Sequence, residues 1–230
     1  MKEERRGPIV TLDGPAGSGK SSTAKAVAAR LGFRHLDSGA LYRALTFALL
    51  ESGVPEERWT GLTEADLLAL EVSVEPTETG FDVLVAGRAV GDELRSQRVT
   101  SRVARLASLR ASRACLMALQ RAAGAHGRLV ADGRDMGSVV FPDAEVKVYL
   151  VADLTERARR RLRDEGVRVP TDRDVAAQSG VIAERDRHDS EREFSPLRKP
   201  EASHLIDTTR LSFENQVKSI VSLVDRLTPP

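Results

Sequence analysis

Pro8-Ile-Val-Thr-Leu-Asp13 is a short run with almost no polar interruption, followed by a glycine-rich turn, and it predicts a buried strand. From Lys20 to Leu31 the pattern becomes helical, and Gly32 closes it. His35-Leu36-Asp37 reads as a strand end, and Gly39 to Glu51 as an apolar helix stopped by Ser52-Gly53 and Pro55. The rhythm then changes. Glu64 to Leu70 fits a short helix, after which Glu71–Glu75 and Phe81–Ala86 alternate with period two across Pro76 to Gly80. That pattern predicts a hairpin with one covered face. A long helix is expected from Val99 to about Ala123, its apolar stripe running Val99, Val103, Leu106, Ala114, Met117, with Arg110 on the same face. Arg128 to Ala131 and Val146 to Val151 are short apolar strands, and Thr155 to Glu165 is an arginine-rich helix. Thr171, with Asp174 three residues on, opens a helix to about Arg192. His204 to Asp207 is a last strand, and Ser212 opens an amphipathic helix to Leu227.

Strands alternating with helices predict an α/β protein, a parallel sheet with helices on both faces. The hairpin is foreign to that rhythm. Residues 1–230 are therefore expected to form one domain, with a small β-containing insertion at about 60–100.

Composition narrows the class. With 41% hydrophobic and 30% charged residues in 230, the chain has the make-up of a soluble globular protein. No apolar run approaches the ~20 residues that cross a bilayer. Met1–Arg6 leads straight into the first strand with no apolar leader. The single cysteine, Cys115, can form no intramolecular disulfide, and a cytoplasmic location is expected. The net charge of +1 argues against a nucleic-acid partner, and 4% aromatic residues leave few stacking platforms. Only six of the 35 basic residues are lysine, which leaves 29 arginines. Coding bias accounts for that excess, or else the chain handles phosphate or carboxylate groups, which the planar guanidinium suits.

The turn after the first strand supplies the phosphate chemistry. Gly14-Pro15-Ala16-Gly17-Ser18-Gly19-Lys20-Ser21 fits G-x-x-x-x-G-K-[ST] between a strand and a helix. Glycines let backbone N–H groups face phosphate oxygens, and the helix N-terminus adds positive potential. Lys20 would reach the β- and γ-phosphates, and the Ser21 hydroxyl would meet Mg²⁺. A glycine-rich turn without a ligand is the alternative. The chain is accordingly expected to bind a nucleoside triphosphate, on a sheet of the P-loop NTPase type. The N-K-x-D element of GTPases is absent. Asp132 ends an apolar strand as a Walker-B acid does and could order Mg²⁺ through water; a simple strand-end turn is the alternative.

Other charged residues are ambiguous one at a time. Arg43 lies in the first turns of an apolar helix, where a charge calls for an anionic partner. Arg110 either faces a ligand or snorkels. Gly133-Arg134-Asp135-Met136-Gly137 is a ligand loop at a strand's carboxyl end or a surface turn. Arg185, Asp189 and Arg192 share a helix face by spacing, as do salt bridges on any solvated helix.

Together these residues resemble the nucleoside monophosphate kinases, and the bacterial cytidylate kinase family in particular. The matching pieces are Ile9–Ser21, Leu36–Arg43 (LDSGALYR), Ala131–Ala144 (ADGRDMGSVVFPDA), Arg185–Arg192 (R-D-x-x-D-x-x-R) and Ile206–Thr209 (IDTT). The resemblance spans about Pro8 to Leu227 and implies phosphorylation of CMP, and of dCMP, by ATP. It implies that Gly14 to Ser22 hold ATP, with Arg157 and Arg161 contributing from an arginine-rich helical lid at about 155–192. Arg43 and Arg134 would grip the CMP phosphate, with Ser38 and Tyr42 shaping that pocket. Ser101, Arg110 and Asp135 would read cytosine, Arg185 and Asp189 would meet the sugar hydroxyls, and Arg192 would lie near the phosphates. Lys20, Arg134 and Arg192 become the catalytic group. The insertion would bind the monophosphate, and a monomer is expected. Ser22 departs from a frequent threonine. His35, His126, His188 and His204 receive no role. Two rivals stay open: a P-loop kinase for another acceptor such as UMP, and an RNA-binding ATPase.

Overall fold

β1 (Ile9–Asp13) is buried along its whole length because its two faces serve two different cores. The structure is a computed structural model that describes residues 7–228; the Met1–Arg6 run, read above as leaderless, lies outside the described residues. After β1 come α1 (Lys20–Leu31), β2 (Arg34–Asp37) and α2 (Ser38–Glu51). α3 (Glu64–Leu68), β3 (Val72–Pro76), β4 (Phe81–Val85) and β5 (Arg88–Ala89) follow. Then come α4 (Gln97–Thr100), α5 (Val103–Ser108), α6 (Arg110–Ala123) and β6 (Leu129–Gly133). A π-helical turn at Met136–Val140 precedes β7 (Val146–Val151), α7 (Leu154–Asp164), α8 (Asp172–Glu191), β8 (His204–Asp207) and α9 (Phe213–Leu227).

The main sheet has the order β2-β6-β1-β7-β8, every pairing parallel. Val10, Leu12, Val130, Val146, Val148 and Leu150 pack on α1 and α9 through Val27, Val217 and Ile220. Ile9, Leu36, Leu129 and Ala131 face the other way, onto Leu41 and Leu45 of α2, Leu116 of α6, and Trp59. Both faces are thus covered, as near-continuous apolar strands require. The register sets Asp13 beside Gly133 and Asp37 beside Asp132. The carboxyl ends of β1, β2 and β6 therefore finish level, where open α/β sheets bind ligands.

β3, β4 and β5 form a separate antiparallel sheet. Val72, Val74, Phe81 and Val83 lean on the α2–α6 core. The hairpin tip docks on the edge strand β2, where the Thr79 carbonyl accepts from the His35 N–H at 3.0 Å.

One expectation fails here. The continuous helix from Val99 to Ala123 is three helices, broken at Ser101–Arg102 and at Leu109, whose backbone is extended. The side chains explain the second break. The Ser112 hydroxyl, fully buried, engages the Leu106 and Leu109 carbonyls, and Arg113 Nη1 donates to the Ala107 carbonyl at 3.3 Å. Side chains that take these carbonyls replace the intrahelical bonds of a continuous helix. The register of α6 shifts with the break, and Arg113 turns inward while Arg110 turns out.

α7 and α8 pack through Ala158, Leu162, Val175 and Ile182, with Ala16 of the glycine-rich turn in the same cluster. Among the described residues no helix is long and apolar enough to cross a membrane.

Candidate active site

The glycine-rich turn crosses the carboxyl end of β1 so closely that glycine is required. A Cβ on Gly14 would sit 2.2 Å from the Leu150 carbonyl oxygen. Gly17 and Gly19 hold φ of +72° and +86°, the left-handed region, and Gly19 begins α1 with no side-chain cap on its first N–H groups. Those donors, with the helix dipole behind them, suit an anion. Lys20 is buried and donates to the Pro15 carbonyl at 3.3 Å. Its amine is pulled down to about 7, first by burial and then by the Arg134 cation, while Asp132 works the other way. The buried Ser18 hydroxyl has no partner in the protein, and Ser22 is exposed.

The turn is clamped from below by the arginine-rich helix. Arg157 Nη1 donates to the Ala16 carbonyl at 2.9 Å and pairs with Asp186, whose other oxygen accepts from the Ala16 N–H at 2.9 Å. Arg160 donates to the Ser18 carbonyl at 3.3 Å and to Thr208 Oγ1 at 2.9 Å. The sequence assigns no individual role to Asp186 or Arg160, since one lies inside a motif of charged residues and the other inside an arginine run that reads equally as a solvated face. Arg157 faces the loop, but its guanidinium is occupied by protein groups. Arg161 pairs with Glu165 at 2.8 Å on the exposed side of α7.

Ser21 and Asp132 come together at the carboxyl end of the sheet. The Ser21 hydroxyl donates to Asp132 Oδ2 at 2.5 Å, and Asp132 is 1% exposed. With its proton directed at the carboxylate, Ser21 Oγ keeps its lone pairs for a cation. Among the described residues no group of three or more His, Cys, Asp or Glu side chains is placed to hold a metal ion by itself. A Mg²⁺ held mainly by phosphates and water needs none. The residues present fit such an ion.

Arginines crowd the other side. Arg134 Nε donates to Asp189 Oδ2 at 2.7 Å, and Arg192 Nη1 lies 3.7 Å from Asp189 Oδ1. Burial works to raise the Asp189 carboxyl, but Arg134, Arg192 and Arg185 hold it below the usual range. Arg43 pairs with Asp37 at 2.8 Å, and Asp37 also caps α2 by accepting from the Ala40 N–H. Arg113 pairs with buried Asp135 and lies over the Tyr42 ring, 5.6 Å from its centroid. Ser38 is buried and accepts from Gln120 Nε2 at 3.0 Å. Arg43 Nε, Arg113 Nε and Arg192 Nη2 are buried N–H groups with no protein acceptor. Guanidinium donors left unmet inside a protein call for an anion or a polar ligand.

Asp13 braces this side. It is fully buried, and its two oxygens accept the Met136 and Gly137 N–H groups, each at 2.8 Å, directly after Arg134-Asp135. Its carboxyl is pushed up to about 7 by burial, against those two backbone donors.

Two sequence-predicted residues lie elsewhere. Arg110 is exposed, stacks over Phe194 at 5.6 Å and lines a surface hollow of about 360 Å³ with Leu62 and Glu64. The contact with Asp135 belongs to Arg113, three residues on, because of the helix break at Leu109. Ser101 is exposed and donates to the Gln97 carbonyl at 2.7 Å within its own turn. Arg185 has an exposed surface on α8 but belongs to the arginine cluster: desolvation first, and then the Arg134 cation, draw its guanidinium down to about 10, with Asp189 working the other way. His35, given no role from sequence, places Nε2 2.8 Å from Asp132 Oδ1.

A parallel sheet with a phosphate loop at its carboxyl end, and an arginine cluster whose cations act on Lys20, defines a P-loop kinase. The sequence profile described as Cytidylate kinase matches residues 10–226. The chain belongs to the cytidylate kinase family. It is 38% identical to the cytidylate kinase of Chlorobaculum tepidum over 229 residues, which covers 97% of this chain and 95% of that one. Identity to the cytidylate kinase of Exiguobacterium sibiricum is 40% over 216 residues, 94% of this chain and 96% of the relative. Among solved structures, an uncharacterized protein from Eubacterium ventriosum shares the fold with a TM-score of 0.52 at 12% identity, covering 95% of this chain and 98% of the other.

Proposed function

We propose that this chain transfers the γ-phosphoryl group of ATP to CMP, and to dCMP, giving the diphosphate and ADP. The observation that carries this reading is a pair of adjoining stations for phosphate. One is the loop from Gly14 to Ser22 with buried Lys20; the other is the set Arg43, Arg113, Arg134 and Arg192, three of which keep a buried N–H unmet. The acceptor is itself an anion, so no general base is needed. The work is in-line positioning and neutralisation of charge.

Lys20, Arg134 and Arg192 act on the migrating phosphoryl, and Arg43 and Arg134 hold the acceptor phosphate. Ser38 and Tyr42 wall the pocket. Asp135 accepts from the cytosine 4-amine, and Arg113, in place of Arg110, donates to N3. Asp189, with Arg185, serves the sugar hydroxyls. Ser21 would ligate Mg²⁺, and Asp132 would hold one of its waters; when bound, that ion neutralises the donor phosphates. Residues 155–192 act as the lid and 60–100 as the monophosphate-binding insertion. Arg161 reaches ATP only by leaving Glu165. The expected setting is a cytoplasmic monomer. A coupled assay of ADP release with CMP, UMP, AMP and GMP tests the reading. CMP should be used far better than the other three, and equal use of UMP would overturn the assignment of the base pocket.

A further inference from the structure

We propose that His35 is a positioning residue: its imidazole fixes the Asp132 carboxylate, and through it the Ser21 hydroxyl, in the orientation that a Mg²⁺–nucleotide complex uses. The inference rests on the reading of Ser21 and Asp132 as the metal-facing pair.

The argument begins with Asp132. At 1% exposure its carboxylate is cut off from bulk water, and each oxygen meets one protein side chain. Oδ2 accepts from Ser21 at 2.5 Å, and Oδ1 lies 2.8 Å from His35 Nε2. The ionised carboxylate only accepts, so Nε2 carries the proton in this contact. The terminal torsion of an aspartate is broad and roughly two-fold. One partner alone would leave the plane of the carboxylate free to rock. Two partners on opposite oxygens set it, and with it the direction of the Ser21 proton and lone pairs.

His35 is itself held from outside the metal site. Its backbone N–H donates to the Thr79 carbonyl at 3.0 Å. Gly80 comes so near that a Cβ there would sit 2.9 Å from the His35 carbonyl oxygen. Arg34 Nε donates to the Thr77 carbonyl at 3.2 Å. The hairpin tip of the inserted sheet therefore pins β2 at the residue whose side chain orients the metal-facing acid. A chain of contacts runs from that sheet through His35 and Asp132 to Ser21 at the start of α1. A second residue behind a metal-facing group typically alters metal affinity or activity about 10- to 100-fold when removed.

The test is calorimetry of ADP binding to the full chain with and without Mg²⁺, for His35→Leu, His35→Asn, His35→Gln and Asp132→Asn. His35→Leu removes the donor, His35→Asn is too short to reach, and His35→Gln keeps an N–H at similar reach. Expected is metal-free ADP affinity like that of the unaltered chain in every His35 variant. With Mg²⁺, affinity should fall about 10-fold in His35→Leu and His35→Asn and largely recover in His35→Gln. Should Asp132→Asn lose the Mg²⁺ response while His35→Leu and His35→Asn keep it, the role of His35 is overturned and the metal reading stands. A loss that is equal with and without Mg²⁺ makes His35 a prop of β2 only, which also overturns it. An Asp132→Asn chain with an unaltered Mg²⁺ response removes the metal reading and the inference together.

Discussion

Asp13→Asn replaces one oxygen by an amide nitrogen at nearly constant shape, and its consequences depend on pH. In the native chain the carboxyl stands at about 7 against an ordinary value of 3.8, because burial outweighs the two backbone donors and Lys20. A carboxyl raised on folding binds its proton more tightly in the native state. Its contribution to stability is fully present below the unfolded value and is lost as pH rises through about 7. Integrated from about pH 5.5 to about pH 8, that loss is about 2 kcal/mol. Asparagine does not titrate. The stability of the unaltered chain relative to the variant should therefore be about 2 kcal/mol greater at the acid end. The variant also turns an NH₂ toward Met136 or Gly137, leaving one buried N–H unmet at a cost of about 1–3 kcal/mol. That loosens the turn carrying Arg134 and Asp135, and KM for CMP should rise while ADP binding is kept. Urea titrations of both proteins at the two pH values, without nucleotide, read the first effect, and steady-state kinetics read the second. Parallel pH profiles would refute burial as the dominant force on Asp13, and an unchanged KM for CMP would refute its bracing role.

Lys20 stands at about 7 among the protein's own groups, so ADP, by surrounding it with phosphate, should restore its basicity. Binding near pH 8 should then take up a proton, seen by calorimetry in buffers of different ionisation enthalpy. Lys20→Met should abolish that uptake and lower kcat by several orders of magnitude in a folded chain; uptake that persists would assign the proton to another group. Arg43→Lys and Arg134→Lys should raise KM for CMP strongly with ATP affinity nearly unchanged, since a point charge does not replace a planar fork; equal losses for both nucleotides would place these arginines elsewhere. Asp186→Ala leaves the Ala16 N–H and Arg157 without their shared acceptor. Proteolysis within 155–192 should quicken and KM for ATP should rise, whereas an unchanged digestion pattern would count against the tie between α8 and the loop.

The elements that were legible in the sequence are those with a single local cause. Gly14, Gly17 and Gly19 announce the loop because no other residue tolerates that backbone, and β1 announces itself because both its faces are covered. The break in the helix after Val99 is hidden from the sequence because the apolar stripe continues across Leu109, while the break is made by Ser112 and Arg113 from three or more residues away. The arginine that pairs with Asp135, and that is proposed to read the base, accordingly lies three positions further on. Ser112 within an apolar helix was the available signal, since a serine there often takes a backbone carbonyl. His35, Asp13 and Asp186 were illegible for another reason. Each acts on a residue roughly 100 or more positions distant, Asp132, Gly137 and Ala16 respectively, and only the sheet register and the α7–α8 packing bring them together.

The most direct test of the account is the ratio of kcat/KM for CMP to that for UMP, measured in the unaltered chain and in Asp135→Asn. Asp135 is 2% exposed and paired with Arg113, so its carboxylate can only accept, as the cytosine amine requires and the uracil carbonyl does not. Discrimination against UMP should be at least about 10²-fold in the unaltered chain. The asparagine amide can donate to the uracil carbonyl, so the ratio should narrow sharply, through both a loss on CMP and a gain on UMP. A variant that keeps the full preference for CMP would contradict the account, because the base would then be read by residues other than Asp135 and Arg113.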